Sequence, residues 1–474
     1  MVKMQNLTLL LQGFLCLSML NACQKEDPEP EEEEEEEEEI VINDPPEVIA
    51  MNAYYVAPPP LGNDRNPGTK EKPWATWYRA FNSFAVGPGD TVYFRGGVYK
   101  HTGLTAGKGY DCTRNGQPDN WVHYFNYPNE TPILDCDELR ATGTKNYPVY
   151  MRYVNYVHFK GLTVRNVWQG DGDDEITAWS IGRSNNVKIE NCVTYNTHGA
   201  GFLAQFCDEV YYINCDAYNH CDSLTTVPAN NPMPGNDGTG FLDHNSTTTD
   251  TRIYYKNCRA WNCGDQGFSS GSIAYSEYDG CWSFGNGQLE GGGHGFKMGW
   301  VSEIDPSIVN RLYKNCIAAY NRRYGFDSND QGYHCGTLHL FNNTSYHNGH
   351  ANSSKVGAGF YVYNTLDGDE RELAREYKNN ISYANKNGEI LIGKNAVYTH
   401  EHNSWDSPPG IQISDASFIS TDSSGLGGPR QANGDLPDLD FLKLAAGSPA
   451  IDAGTTSTGY SYKGSAPDLG AYEY

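Results

Sequence analysis

Basic residues are scarce in this chain: 34 Lys and Arg stand against 59 Asp and Glu, a net charge of 34 − 59 = −25. That balance excludes a protein that holds nucleic acid through a basic face. Apolar residues are also thin, at 38% of 474 residues, too few aliphatics for a helical bundle. The apolar run from Leu7 to Leu20, broken by a few polar residues, is shorter than a helical membrane span requires. What is abundant is Gly (51), Tyr (34) and Asn-rich turns, and the 13% aromatic share argues against wholesale disorder. The composition suits many short strands and tight turns. The length allows one large solenoid or two to three ordinary domains.

Lys3, the apolar run and Leu20-Asn21-Ala22-Cys23 have the layout of a secretory signal. A small residue directly before a Cys resembles the signal of a bacterial lipoprotein. The resemblance implies that residues 1–22 are removed and that Cys23 carries lipid. Glu31 to Glu39 then run uninterrupted, and residues 24–47 hold 14 acids against Lys25, or −13 of the total −25. Like charges at this density repel and nothing apolar can be buried, so residues 23–49 read as an extended tether. An acidic stretch after such a Cys resembles the surface-export signal of Bacteroidetes lipoproteins. It implies an outer-membrane location facing outward, with membrane contact through the lipid alone. A monomer is expected. Removing Cys16 and Cys23 from the 13 cysteines leaves 11, an odd number that cannot all pair within the chain.

One phrase recurs: Glu190-Asn191-Cys192, Ile213-Asn214-Cys215, Lys256-Asn257-Cys258, with weaker copies at Asp279-Gly280-Cys281, Lys314-Asn315-Cys316, Asn342-Asn343-Thr344 and Lys378-Asn379-Asn380. Successive Cys positions are 23, 43, 23 and 35 residues apart, so a coil is about 22 residues with insertions. Short alternating runs such as Val187-Lys188-Ile189 and Val210-Tyr211-Tyr212-Ile213 separate the turns. A coil of this size without helical periodicity predicts an all-β parallel β-helix, right-handed by the family resemblance given below. Stacking places the five cysteines in one interior column, as small fillers. It places Asn191, Asn214, Asn257, Asn315 and Asn342 in a turn ladder, each side chain bonding the next coil. A Cys112–Cys136 disulfide is left open. Solenoids need covered ends, so Tyr54 to Gly97 and Ala445 to Tyr474 read as caps and residues 50–474 as one domain.

The segment Gly293-His294-Gly295-Phe296-Lys297-Met298-Gly299-Trp300 is the most informative for chemistry. Strand alternation puts Phe296 and Met298 on one face and Lys297 on the other, toward solvent. Arg322 and Arg323 follow about one coil later, which makes either a candidate neighbour of Lys297. Gly-x-Gly-Phe-Lys-x-Gly, the Gly325-Phe326-Asp327 coil and Leu340 to Asn348 together resemble polysaccharide lyase family 9 across most of residues 50–474. The resemblance implies β-elimination of a galacturonate-containing, plant-type acidic polysaccharide, with Lys297 as base and Ca2+ held by aspartates. Removing the proton on carbon 5 of a uronate builds a dianion that needs a cation against its carboxylate. Arg322 or Arg323 is the expected cationic aid, and His294 and Trp300 are expected substrate contacts. A neutral lysine is required, and nearby arginine or calcium favours that form.

The family's Asp-Asp-Gly-aromatic-Asp run reads here Asp265-Gln266-Gly267-Phe268-Ser269, and its upstream Asp-Gly-Phe reads Thr239-Gly240-Phe241 with Asp237 nearby. Asp237, Asp265 and Gln266 are the expected calcium ligands, in a site poorer in charge than the family's. Fewer bridging cations suit rhamnogalacturonan I, whose uronates alternate with rhamnose, better than polygalacturonate. Two other readings compete. Gly293-His294-Gly295 resembles the Gly-His-Gly of polygalacturonases, but hydrolysis needs paired carboxylates, and Asp173-Asp174 lies far upstream. A non-catalytic surface glycan-binding protein on the same solenoid is the other.

Overall fold

The computed structural model describes residues 52–474 apart from 102–109, 140–144, 171–174, 227–232, 245–251, 272–274, 300–309, 330–336, 351–355 and 364–373. The leader, Cys23 and the tether therefore lie outside the described residues, as do Trp300 and Asp173-Asp174. Within residues 49–474 the described strands form three sheets of 12, 10 and 11 strands, with every paired strand parallel to its neighbours.

One coil shows the pattern. Asn185–Glu190 lies in the 12-strand sheet, Val193–Thr197 in the 10-strand sheet and Ala200–Gln205 in the 11-strand sheet; Asp208–Ile213 then returns to the first sheet. The turns are tight because Asn191, Asn214, Asn257, Asn315, Asn342 and Asn379 take φ between +50° and +57°. Asn tolerates this left-handed conformation better than other non-glycine residues.

That is why Asn recurs there, and it corrects the expected side-chain ladder in part: Asn315 Nδ2 donates to Asp279 Oδ1 (3.1 Å) and Asn379 Nδ2 to Asn342 Oδ1 (3.4 Å), but the earlier coils lack such bonds at this turn among the described residues. Oδ1 of Asn191 and of Asn214 has no hydrogen-bond partner among the described residues. The longer side-chain ladders run elsewhere. Asn286, Asn321, Asn348 and Asn385 form one, in which Asn286 Nδ2 donates to Asn321 Oδ1 (2.8 Å) and Asn348 Nδ2 to Asn385 Oδ1 (2.9 Å). Asn343, Asn380 and Asn403 form another.

The five repeat cysteines are fully buried and unpaired, as small fillers beside the turn. Cys112 and Cys136 are buried free thiols too, so no disulfide joins them. Inside the 11-strand sheet, Phe202, Phe241, Phe268, Phe296, Phe326 and Phe360 stack with ring centroids 4.9–5.0 Å apart. Parallel strands sit about 4.8 Å apart, so identical residues in register stack face to face.

A short helix, Trp77–Asn82, covers the N-terminal end: Thr76 caps it by accepting from Arg79 N, and Trp77 and Phe81 lie against Phe94, Tyr99 and Tyr124. Trp405, against Phe360 (5.0 Å), and Tyr398, against Tyr377 (5.7 Å), pack on the last coils. The rest of the C-terminal segment does more than close an end. It lies along the outer face of the 10-strand sheet, where Phe418, Leu426, Phe441 and Leu444 bury Trp282, Ile317 and Ile381. Arg430 and Arg259 both hold Asp216 (2.7 Å each), pinning this arm to the coils.

Candidate active site

Six coils of the 11-strand sheet carry the same triplet: Gly201-Phe202-Leu203, Gly240-Phe241-Leu242, Gly267-Phe268-Ser269, Gly295-Phe296-Lys297, Gly325-Phe326-Asp327 and Gly359-Phe360-Tyr361. Phe fills the core. Glycine is required because the corner is narrow: a Cβ on Gly295 would lie 2.5 Å from Gly325 O and 2.9 Å from Asn321 Nδ2, and one on Gly267 2.0 Å from Ser283 Oγ. The third residue of each triplet points outward, so Leu242, Ser269, Lys297, Asp327 and Tyr361 form one register column on the outer face. This triplet was the signal in the sequence for reading the face, and it adds Asp327 to the site.

Lys297 ends the strand His294–Lys297 and is half-buried, between buried Phe296 and Met298 that anchor the strand. Its Nζ makes no hydrogen bond or ion pair among the described residues. Asp327 stands opposite Lys297 in register on the next coil and is buried. Its Oδ1 accepts from Asn329 N (2.9 Å), and its Oδ2 lies 2.9 Å from His294 Nδ1, a close contact without hydrogen-bond alignment. The His294 ring in turn lies 5.6 Å from that of Tyr324, which stacks on Tyr361 at 4.7 Å. Burial foremost, with Asp327 and Tyr361 adding to it, pushes the Tyr324 hydroxyl up to about 12, against the opposing effect of Arg323. Tyr324 is therefore a neutral hydroxyl at physiological pH.

The two arginines separate. Arg322 is buried and its Nη1 donates to Leu289 O (2.6 Å) and Gly291 O (2.8 Å). It clamps the glycine-rich turn before His294, so its Nη1 is committed to backbone carbonyls. Arg323 is half-buried, and its guanidinium makes no hydrogen bond or ion pair among the described residues.

The expected calcium ligands come from adjacent turns but form no cluster of three carboxylates among the described residues. Asp265 is buried and its Oδ1 accepts from Gly292 N (2.9 Å), while its carbonyl accepts from His294 N (3.0 Å). Its carboxylate thus caps the same glycine turn. Asp237 is exposed in the neighbouring coil's turn, next to Gly238, whose carbonyl accepts from Asp265 N (2.9 Å), and its own N–H donates to Asp222 Oδ1 (3.1 Å). Gln266 is buried with Nε2 donating to Thr239 Oγ1 (2.8 Å), and its Oε1 has no partner among the described residues. No three His, Cys, Asp or Glu side chains converge as metal ligands among the described residues. Calcium takes six to eight oxygens, so this donor set does not fit it, and no step below passes through the ion.

Known proteins share this architecture and sequence. Residues 54–395 match the family described as Pel9A-like, right-handed β-helix region. Pectate lyase L of Dickeya dadantii is 30% identical over 454 residues, spanning 90% of this chain and 91% of that protein. Pectate lyase PEL9 of Emericella nidulans is 26% identical over 441 residues, or 85% of this chain and 94% of its own. The crystal structure of pectate lyase Pel9A superposes with a TM-score of 0.68 at 25% identity, covering 89% of this chain and 96% of that one. A rhamnogalacturonan lyase shares the fold, with a TM-score of 0.68 at 24% identity over 83% of this chain and 96% of its own. The chain belongs to the Pel9A-like right-handed β-helix family and is a polysaccharide lyase.

Proposed function

We propose that this lyase cleaves a pectic, galacturonate-containing backbone by β-elimination, with Lys297 as the base. The observation that carries the reading is the amine itself: Nζ of Lys297 projects from the outer face of the 11-strand sheet, unpaired among the described residues, on a strand fixed by Phe296 and Met298. An outer face with a side-chain column repeating about every 4.8 Å suits an extended polymer. The neutral amine takes the proton on carbon 5 of a bound uronate, and the electron pair left behind forms the carbon 4–carbon 5 double bond as the oxygen on carbon 4 departs. The uronate carboxylate carries the developing charge and calls for a cation. Arg323 takes that role, because Arg322 is committed to the turn. Tyr324 and Tyr361 offer rings to the sugars beside the reacting one.

Rhamnogalacturonan I is the favoured backbone over polygalacturonate. The reduced carboxylate set around Asp265 leaves less capacity to bridge several adjacent uronates by cations, and a backbone that alternates uronate with rhamnose asks for less. Pectate lyase L and pectate lyase PEL9 among the relatives support the pectic class. The enzyme is proposed to act outside the cell, tethered by lipid on Cys23 through residues 24–49 to the outer membrane. Parallel incubation with rhamnogalacturonan I and polygalacturonate, followed by absorbance of the unsaturated uronate, tests the substrate. Loss of membrane fractionation in Cys23→Ser tests the anchor.

A further inference from the structure

Elsewhere in this solenoid three lysines in register with an acid on a neighbouring coil pair with it, whereas Lys256 with Asp279 and Lys378 with Glu401 share a register without pairing to each other among the described residues. Lys100 and Asp135 are in register and 3.2 Å apart, Lys160 and Glu190 are in register and 2.5 Å apart, and Lys314 and Asp279 are in register and 3.7 Å apart. Lys297 and Asp327 have the same register and form no such pair. Oδ1 of Asp327 accepts from Asn329 N–H, and Oδ2 lies against His294 Nδ1 at 2.9 Å. His294 is three residues before Lys297 on the same strand, so its ring reaches across to the neighbouring coil ahead of the lysine.

We propose that His294 is a positioning residue that holds the Asp327 carboxylate away from Lys297 and so leaves the Lys297 amine free to meet substrate. The proposal deepens the reading of Lys297 as base and rests on it. Without His294, Oδ2 of Asp327 is free to turn to Lys297, the cation in register with it, as happens in the three pairs above. An ion-paired lysine keeps its proton more tightly and loses the reach that proton abstraction needs. The other groups around Lys297 do not substitute for this contact. Ser269 and Tyr361 flank the column with uncharged hydroxyls, Tyr324 is neutral, Arg323 repels a lysine cation, and the Asp265 carboxylate is tied to Gly292 N–H.

The test compares wild type with His294→Phe, which keeps a ring against Tyr324 and removes the nitrogen, with Asp327→Asn, and with the double variant. kcat is followed across pH by unsaturated-uronate absorbance on whichever of the two pectic polymers the wild type cleaves faster. Thermal melts check folding, and His294→Ala replaces His294→Phe if the latter does not fold. His294→Phe is expected to lower kcat at neutral pH about tenfold and to move the limb reporting the base upward by about one pH unit. The double variant is expected to return both toward the values of Asp327→Asn alone, since no carboxylate remains to capture the lysine. A double variant as impaired as His294→Phe, or a limb that does not move, overturns the proposal: His294 would then serve by substrate contact or by packing. Lys297→Ala in the same series separates the two claims, because full activity there removes the base reading itself, whereas its loss with an unmoved His294→Phe limb removes only this inference.

Discussion

The backbone N–H of Cys316 donates to Oδ1 of Asn343 at 2.9 Å, at the point where the column of buried cysteines passes into a column of buried asparagines. Both occupy the same turn position in successive coils. A thiol there fills space and donates only weakly to the preceding coil, as Cys316 Sγ does to Tyr278 O (3.4 Å), whereas an amide binds the coil on either side: Asn343 Nδ2 donates to Tyr313 O (2.8 Å) and to Asn380 Oδ1 (3.0 Å). Asn343→Ala strands a buried donor and a buried acceptor, so it is expected to cost about 2–4 kcal/mol. Cys281→Ala removes a small filler and a weak S–H donor to Tyr255 O (3.4 Å), and is expected to cost about 1–2 kcal/mol. Denaturant unfolding of the two variants checks the order.

Gly295→Ala is expected to damage stability and activity together. Its Cβ would stand 2.5 Å from Gly325 O and 3.1 Å from Ala318 Cβ, neither of which can withdraw without moving a strand. Overpacking of this kind costs about 1–3 kcal/mol, and here it displaces the strand that carries Lys297. Melting temperature and kcat measured on the same preparation should fall together.

The arginine pair should divide by readout. Arg322→Ala releases Leu289 and Gly291 carbonyls from their clamp, so melting temperature falls along with activity. Arg323→Ala leaves the melt within about 0.5 kcal/mol of wild type, as expected for a partly exposed side chain without partners. It lowers kcat/KM about tenfold or more through loss of charge stabilisation. Equal melts with equal activities for the two variants would contradict this division.

Acid should destabilise the solenoid through its buried histidines. Burial lowers His220 to about 3 and His158 to about 4, against an ordinary value near 6.5. The unfolded chain therefore binds more protons than the folded one below pH 6.5, so stability is full above that value and declines as pH falls toward 4. His220 is fully buried with Nε2 3.2 Å from Thr194 Oγ1. His220→Gln, which cannot titrate, is expected to flatten the pH dependence of the unfolding free energy between pH 6.5 and 4; an unchanged slope would contradict this.

The coil length, the parallel β-helix, the cysteine column and the lysine segment were legible in the sequence because each is a short-range pattern repeated at one period. The Asn repeats were legible as a column but not in their role. A left-handed turn and a side-chain ladder both select Asn, and only the coordinates show that Asn191 serves the first and Asn343 the second. The separation of Arg322 from Arg323 depends on which of two adjacent side chains meets the carbonyls of a turn more than 30 residues away, which no local pattern encodes. Asp327 was readable in principle, as the third member of a Gly-Phe-x triplet whose other copies line the same face. Its contact with His294 was not, because it crosses from one coil to the next.

The most direct measurement is the absorbance of unsaturated uronate during incubation of wild type and Lys297→Ala with rhamnogalacturonan I and, separately, with polygalacturonate. Wild type should generate the signal, faster on rhamnogalacturonan I, and Lys297→Ala should lose about a thousandfold in rate while still sedimenting with the polymer, in keeping with loss of a general base. Undiminished absorbance from Lys297→Ala, or new reducing ends without absorbance from wild type, would contradict the assignment of Lys297 as the base of an eliminating enzyme.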